Sequence, residues 1–151
     1  MLNSDYRDIL QSLNDEKAKF LLIGAYALAA HGHLRTTVDI DVWILPSPDN
    51  SQAVLRALQR FGAPTDNLTA EDLQQKDIVF QIGVAPRRID IITGASGLNF
   101  EETYADSIEI DIDGLPVHIP SIDALIRNKK ATSRNKDLAD IEILESLKHN
   151  E

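Results

Sequence analysis

The chain has no cysteine among its 151 residues. That removes disulfides, thiolate metal sites and every mechanism with a cysteine nucleophile, leaving carboxylates to carry any catalysis. It is also short of positive charge, with 15 lysines and arginines against 24 acids and a net charge of -9. An extended nucleic acid held by unspecific phosphate contact needs clustered positive charge, so that class of partner is not expected, whereas a small anionic ligand is. Long apolar runs are missing as well. Phe20 to Ile23 and the mixed stretch Gly24 to Ala30 are too short and interrupted to span a bilayer, so no membrane partner is expected. Residues 1–8 carry acids where a secretory signal has a basic start and an apolar run, and the expectation is a cytoplasmic protein. Hydrophobic residues at 43% and charged residues at 26% are the values of a globular chain. The length fits a single domain over 1–151, large enough to build a core without disulfides or structural metals.

Residues 4–16 have Tyr6, Ile9, Leu10 and Leu13 at helical spacing, with Ser4 as the expected N-cap. Phe20 to Ile23 reads as a strand that turns directly into an alanine-rich helix, Ala25 to Ala30, stopped by Gly32. Val38 to Leu45 alternates apolar and polar residues with the period of a strand, ended by Pro46 and Pro48. A helix follows at 49–61 on Val54, Leu55, Leu58 and Phe61, then a polar loop with a helical turn near Ala70 to Gln75. Two hairpins come next, Ile78 to Ile82 with Arg88 to Ile92, and Ile108 to Ile112 with Leu115 to Ile119 around Asp113-Gly114. Pro116 predicts an edge position for the last strand. From Ser121, an N-cap, the chain reads as helix to about Lys148, with a break near Thr132 to Asn135. This order predicts an α/β (α+β) fold, a mixed β-sheet with helices packed on it.

One combination has a chemical purpose. A tight turn from a strand into a helix at Gly24-Ala25 presents free backbone N–H groups and a positive dipole end to a phosphate. Asp39 and Asp41 lie two apart on the next strand, so both carboxylates project to one face, with Cα atoms roughly 6.5–7 Å apart. Carboxylates so placed repel each other, and a divalent cation relieves the repulsion; magnesium prefers oxygen ligands and joins carboxylates to substrate phosphates. A third carboxylate on a neighbouring strand would complete a two-metal site or activate a hydroxyl, and Asp90, between Ile89 and Ile91, is the candidate. Further along, Arg127, Lys129, Lys130, Arg134 and Lys136 put five of the fifteen basic residues into ten positions that contain no acid.

The run Gly24-Ala25-Tyr26-Ala27-Leu28-Ala29-Ala30-His31-Gly32, followed by Arg35, Thr37 and Asp39-Ile40-Asp41, resembles the minimal nucleotidyltransferases of the DNA polymerase beta superfamily, especially the bacterial group related to abortive-infection and toxin-antitoxin nucleotidyltransferases. Asp90 matches that family's later single aspartate, and Lys130, Arg134, Lys136 and Asp137 match its late basic helix before a Lys-Asp pair. Ala25 departs from the usual Gly or Ser. The resemblance spans residues 20–144 and implies a nucleotidyltransferase fold. It further implies magnesium on Asp39, Asp41 and Asp90, and nucleotide contacts from Gly24, Ala25, Arg35, Lys130, Arg134 and Lys136.

Each of these residues also has a plainer reading. The second Asp-Ile-Asp, at 111–113, runs into Asp113-Gly114 and reads as turn chemistry. Arg87 and Arg88 just before Asp90 would explain it as an ion pair, and a basic run is ordinarily a solvated helix face. His31 faces the end of a helix, His118 has no assigned role, and Trp43 reads as core or packing edge. The expected function is magnesium-dependent transfer of a nucleoside monophosphate from an NTP, such as ATP, to a hydroxyl on a protein, a tRNA end or a small molecule. The alternative is a non-catalytic nucleotide-binding or antitoxin-like protein that retains the fold and binds a partner protein.

Overall fold

The computed structural model describes residues 2–34, 37, 39–84, 86–132 and 135–149, with the side chains of Asn135 and Lys136 outside the description. Helix α1 (Ser4–Asp15) buries Tyr6, Ile9, Leu10 and Leu13, the residues whose spacing predicted it. Its N-cap is Asn3 rather than Ser4: the Asn3 side chain accepts from the Tyr6 N–H, leaving Ser4 as the first helical residue. Strand β1 (Phe20–Ile23) passes through Gly24 into the short helix α2 (Ala25–Ala30), and β2 (Asp39–Ile44) follows. Pro48 opens helix α3 (Pro48–Phe61) behind the Ser47 cap, where its missing N–H costs nothing. A single 3-10 turn at Asp72–Gln74 leads to β3 (Val79–Ile82) and β4 (Arg88–Ile92).

These four strands form one mixed sheet in the order β1-β2-β4-β3, with β2 and β4 parallel and both outer pairs antiparallel. The alternation along each strand divides its residues between two faces. Phe20, Leu22, Ile40, Val42, Ile44, Ile89 and Ile91 face the main core, which they share with the apolar sides of α1 and α3. The opposite face carries Asp39, Asp41 and Trp43 from β2, and Arg88, Asp90 and Ile92 from β4. Leu21 and Ile23 of β1 pair with Trp43 and Asp41 and so lie on that second face too. The far end of that face is covered by a small cluster of Leu21, Trp43 and Phe100, in which Phe100 meets Trp43 edge-on at 5.1 Å. Trp43 is therefore core, at 1% exposure.

Phe100 belongs to helix α4 (Phe100–Ala105), which sequence periodicity did not reveal. Its six residues hold one apolar pair a turn apart, Phe100 and Tyr104, too few to establish a helical period. The helix stands on its Asn99 cap, which accepts from the Glu102 N–H, and on the seat for Phe100. Strands β5 (Ile108–Ile112) and β6 (Leu115–Ile119) form the expected hairpin, with Asp113 and Gly114 both at positive φ, and β6 runs close to β1. β5 and β6 form a two-stranded sheet, so Pro116 stands on an edge strand as expected. Helices α5 (Ile122–Thr132) and α6 (Asn135–His149) divide where the break was expected, between Thr132 and Asn135, and Ser121 caps the first of them through the Ala124 N–H.

Candidate active site

The parallel register between β2 and β4 sets Asp41 directly beside Asp90 and Asp39 beside Arg88. Because 39 and 41 are two apart on β2 and stand level with 88 and 90 on β4, all four side chains leave the sheet on the face that the main core does not use. Asp39, Asp41 and Asp90 each offer a carboxylate oxygen, and the three oxygens lie within 4.8 Å of one another. Thr37 orients the first of them: its hydroxyl donates to Asp39 Oδ1 at 3.0 Å and accepts from the Asp39 N–H at 3.2 Å.

The Gly24 turn lies against the same carboxylates. Gly24 has φ +70°, and a Cβ added to it would overlap Asp41 Oδ2. The glycine is thus required twice, by backbone conformation and by the close approach of Asp41. Ala25, which departs from the family's usual residue, is the first residue of α2, and positive φ falls on Gly24 instead. Alanine is a good helix former there, and its backbone N–H is retained.

Among the described residues, one cation, Arg88, and two phenols, Tyr6 and Tyr26, lie beside the carboxylates. Arg88 Nη2 lies 2.5 Å from Asp39 Oδ2 and 3.2 Å from Asp90 Oδ2. The ion-pair reading of Asp90 is therefore met by Arg88, while Arg87 pairs with Asp5 of α1. The Tyr6 hydroxyl is shared between the carbonyls of Pro86 and Arg88 and ties α1 to the start of β4. Its ring meets Tyr26 edge-on at 6.0 Å. Burial, then Tyr26, Asp39 and Asp41, push the Tyr6 phenol up to about 12, and burial and Asp39 raise Tyr26. Both stay neutral donors at physiological pH.

Asp41 resists ionisation. Burial first, then the charges of Asp39 and Asp90, push its carboxyl up to about 7 against the opposing pull of Arg88. A folded pKa above the unfolded value of 3.8 means the native protein keeps a proton that the unfolded chain has lost. Without metal, this group's contribution to stability is full below about pH 4 and is lost as pH rises to about 7. Urea unfolding in EDTA should show the gap between Asp41→Asn and wild type widening with pH across that window, to roughly 1–2 kcal/mol after allowance for solvent screening. A gap independent of pH would show that Asp41 is ionised throughout.

The donor set fits a divalent cation. Among the described residues, four buried side-chain polar atoms have no hydrogen-bond partner, and two of them, Asp90 Oδ1 and Arg88 Nε, sit in this cluster. A buried carboxylate oxygen left unpaired beside two other carboxylates is what a hard cation would satisfy.

The late basic cluster has no single destination. Lys129, at 14% side-chain exposure, is turned inward to Asp137 at 3.5 Å and Asp140 at 3.3 Å, and Asp140 also holds His33 at 3.0 Å. This pairing fastens α5 and α6 to the loop after α2. Lys130 pairs with Glu145 at 3.7 Å on the exposed side of α5 and α6. Arg35, Arg134 and the Lys136 side chain lie outside the described residues. His31 bonds the Pro120 carbonyl, and His118 bonds Ser107, both structural roles. In the second Asp-Ile-Asp, Asp111 accepts from the Gly114 N–H, as turn chemistry requires, and Asp113 accepts from the distant Leu2 N–H. Arg88 is the site residue that sequence reasoning did not assign to the site. Its position two before Asp90 on a strand is the signal that places it there.

Comparison with known proteins bears on the fold and the family. A protein from Thermotoga maritima, TM1012, described as a candidate nucleotidyltransferase, superposes with a TM-score of 0.61 at 14% identity, over 100% of this chain and 97% of that one. The antibiotic-resistance factor ANT(2'')-Ia superposes in its solution structure with a TM-score of 0.62 at 15% identity, over 93% of this chain and 80% of that one. Its crystal structure in complex with adenylyl-2''-tobramycin gives 0.57 at 14% identity, over 96% and 93%. At such identities these likenesses establish the fold alone. No curated protein matches the chain in sequence. The family model described as "Nucleotidyltransferase of unknown function (DUF6036)" matches residues 2–148, nearly the whole length, and the chain belongs to that nucleotidyltransferase family.

Proposed function

We propose that the protein transfers a nucleoside monophosphate from an NTP to a hydroxyl acceptor. The acceptor oxygen forms a bond to the α-phosphorus, the α–β phosphoanhydride breaks, and pyrophosphate leaves with the electron pair. The observation that carries this reading is the convergence of Asp39, Asp41 and Asp90 beside a positive-φ glycine turn. Asp39 and Asp41, with Asp90 helping to bind one ion, would hold magnesium, which when bound neutralises charge on the triphosphate. Asp90, on the side of the cluster away from Gly24, would take or polarise the acceptor's proton. The backbone N–H groups following Gly24 would receive phosphate oxygens. The crystal complex of ANT(2'')-Ia with adenylyl-2''-tobramycin holds a product of this type, a nucleotide joined to a small molecule, which supports a small hydroxyl-bearing acceptor among the candidates.

Two measurements test it. With magnesium, at least one of ATP, GTP, CTP and UTP should raise the melting temperature, because a ligand that binds only the native state stabilises it by mass action. The same nucleotide labelled at the α-phosphate should pass its label to an acceptor in cell extract, and EDTA should stop the transfer. No thermal shift with any NTP at millimolar concentration would remove the proposal. Magnesium-dependent binding without transfer would mark a nucleotide-binding regulator instead.

A further inference from the structure

The Arg88 guanidinium occupies the position where a cation would bridge two of the three carboxylates. It is built in by register: Arg88 pairs with Asp39 across the parallel strands and precedes Asp90 by two, so it must project between them. One nitrogen, Nη2, serves both Asp39 Oδ2 and Asp90 Oδ2, while Nε is buried without a partner. A structural arginine normally uses its fork in two parallel bonds to one carboxylate, and this one does not. The side chain is 34% exposed and stands on the open face of the sheet, so it has somewhere to go. A bare metal ion must break both contacts and leave the guanidinium without an anion. A metal ion arriving with a triphosphate breaks the same contacts but brings the anion that receives it.

We propose that Arg88 is a competing internal cation that holds Asp39 and Asp90 against bare divalent metal, and that the metal–nucleotide complex displaces it onto the triphosphate. This rests on the metal and triphosphate reading given above. It makes metal and nucleotide load together, so the carboxylates are not filled by metal alone at cellular concentrations.

The test compares wild type with Arg88→Gln, and uses Mn2+ alone and Mn2+ complexed with the non-hydrolysable α,β-methylene analogue of ATP. Free manganese is followed by electron paramagnetic resonance and the complex by calorimetry. Arg88→Gln should bind bare manganese at least tenfold more tightly than wild type, because the competitor is gone. The same variant should bind the manganese–nucleotide complex no more tightly, or severalfold more weakly, because the receiving charge is gone. A merely structural arginine predicts that both affinities fall together, and that result, or unchanged manganese binding, overturns the proposal. Should Arg88→Gln not fold, Arg88→Lys carries the test: its single ammonium bridges the two carboxylates less well, so bare manganese should bind severalfold more tightly, and equal binding overturns the proposal. Wild type that binds the manganese–nucleotide complex but gains nothing from loss of Arg88 would leave the proposed function standing without this device. Binding of neither probe by any of the proteins would end both.

Discussion

Replacing Asp41 by asparagine is expected to abolish nucleotide transfer and, in the same protein without metal, to raise the melting temperature. The two effects have one cause. Asp41 is the acid that burial and its two neighbours resist ionising, and it has no arginine contact of its own among the described residues to offset that cost. Asparagine keeps the shape and removes the charge, so the repulsion disappears together with the metal ligand. Transfer should fall at least about a hundredfold, as expected when one of few metal ligands is lost. Asp39→Asn and Asp90→Asn should also lose transfer but gain less stability, because each gives up an ion pair with Arg88. Asp111→Asn is the matched control: it lies in the other Asp-Ile-Asp, its side-chain oxygen still accepts from the Gly114 N–H, and transfer should be intact. Equal loss of label with Asp111→Asn would sink the assignment of the site.

Gly24→Ala should be the most damaging change of a single methyl group. At φ +70° and ψ -148° the backbone is in a region that glycine alone occupies readily, and forcing alanine there costs on the order of 1–3 kcal/mol. The new Cβ would also overlap Asp41 Oδ2, so Asp41 must move off its position beside Asp90. Both stability and metal–nucleotide binding should therefore fall. Gly62→Ala separates the two costs. Gly62 has φ +93° with nothing within 4 Å of an added Cβ, so that variant should lose only the backbone term and bind normally. Thermal melts with and without magnesium and nucleotide read both quantities. If Gly24→Ala binds as well as Gly62→Ala does, the close approach of the turn to Asp41 has no functional consequence.

Much of the molecule was legible from residue order because local periodicity and turn chemistry decide it. Tyr6, Ile9, Leu10 and Leu13 specify a helix side, Asp113-Gly114 specifies a tight turn, and the alternation in Asp39-Ile40-Asp41 puts both acids on one face. None of these depends on distant contacts. Helix α4 was hidden for the opposite reason: it exists because Phe100 has Trp43 to pack on, 57 positions earlier in the chain. The basic run at 127–136 looked like one surface, yet a helix disperses its side chains and Lys129 is drawn inward by Asp137 and Asp140.

The sequence by itself determined which acids could share a face, that a glycine turn precedes them, and that no thiol chemistry is available. Only the tertiary structure decided that Asp90 stands level with Asp41, since strand register is set by the whole sheet and a slip of one residue would turn Asp90 into the core. The same register decided that Arg88, and not Arg87, enters the site. Two adjacent arginines are equivalent in composition, but Arg87 lies in the bend before β4 and meets Asp5 at the surface, whereas Arg88 opens the strand and is held between Asp39 and Asp90.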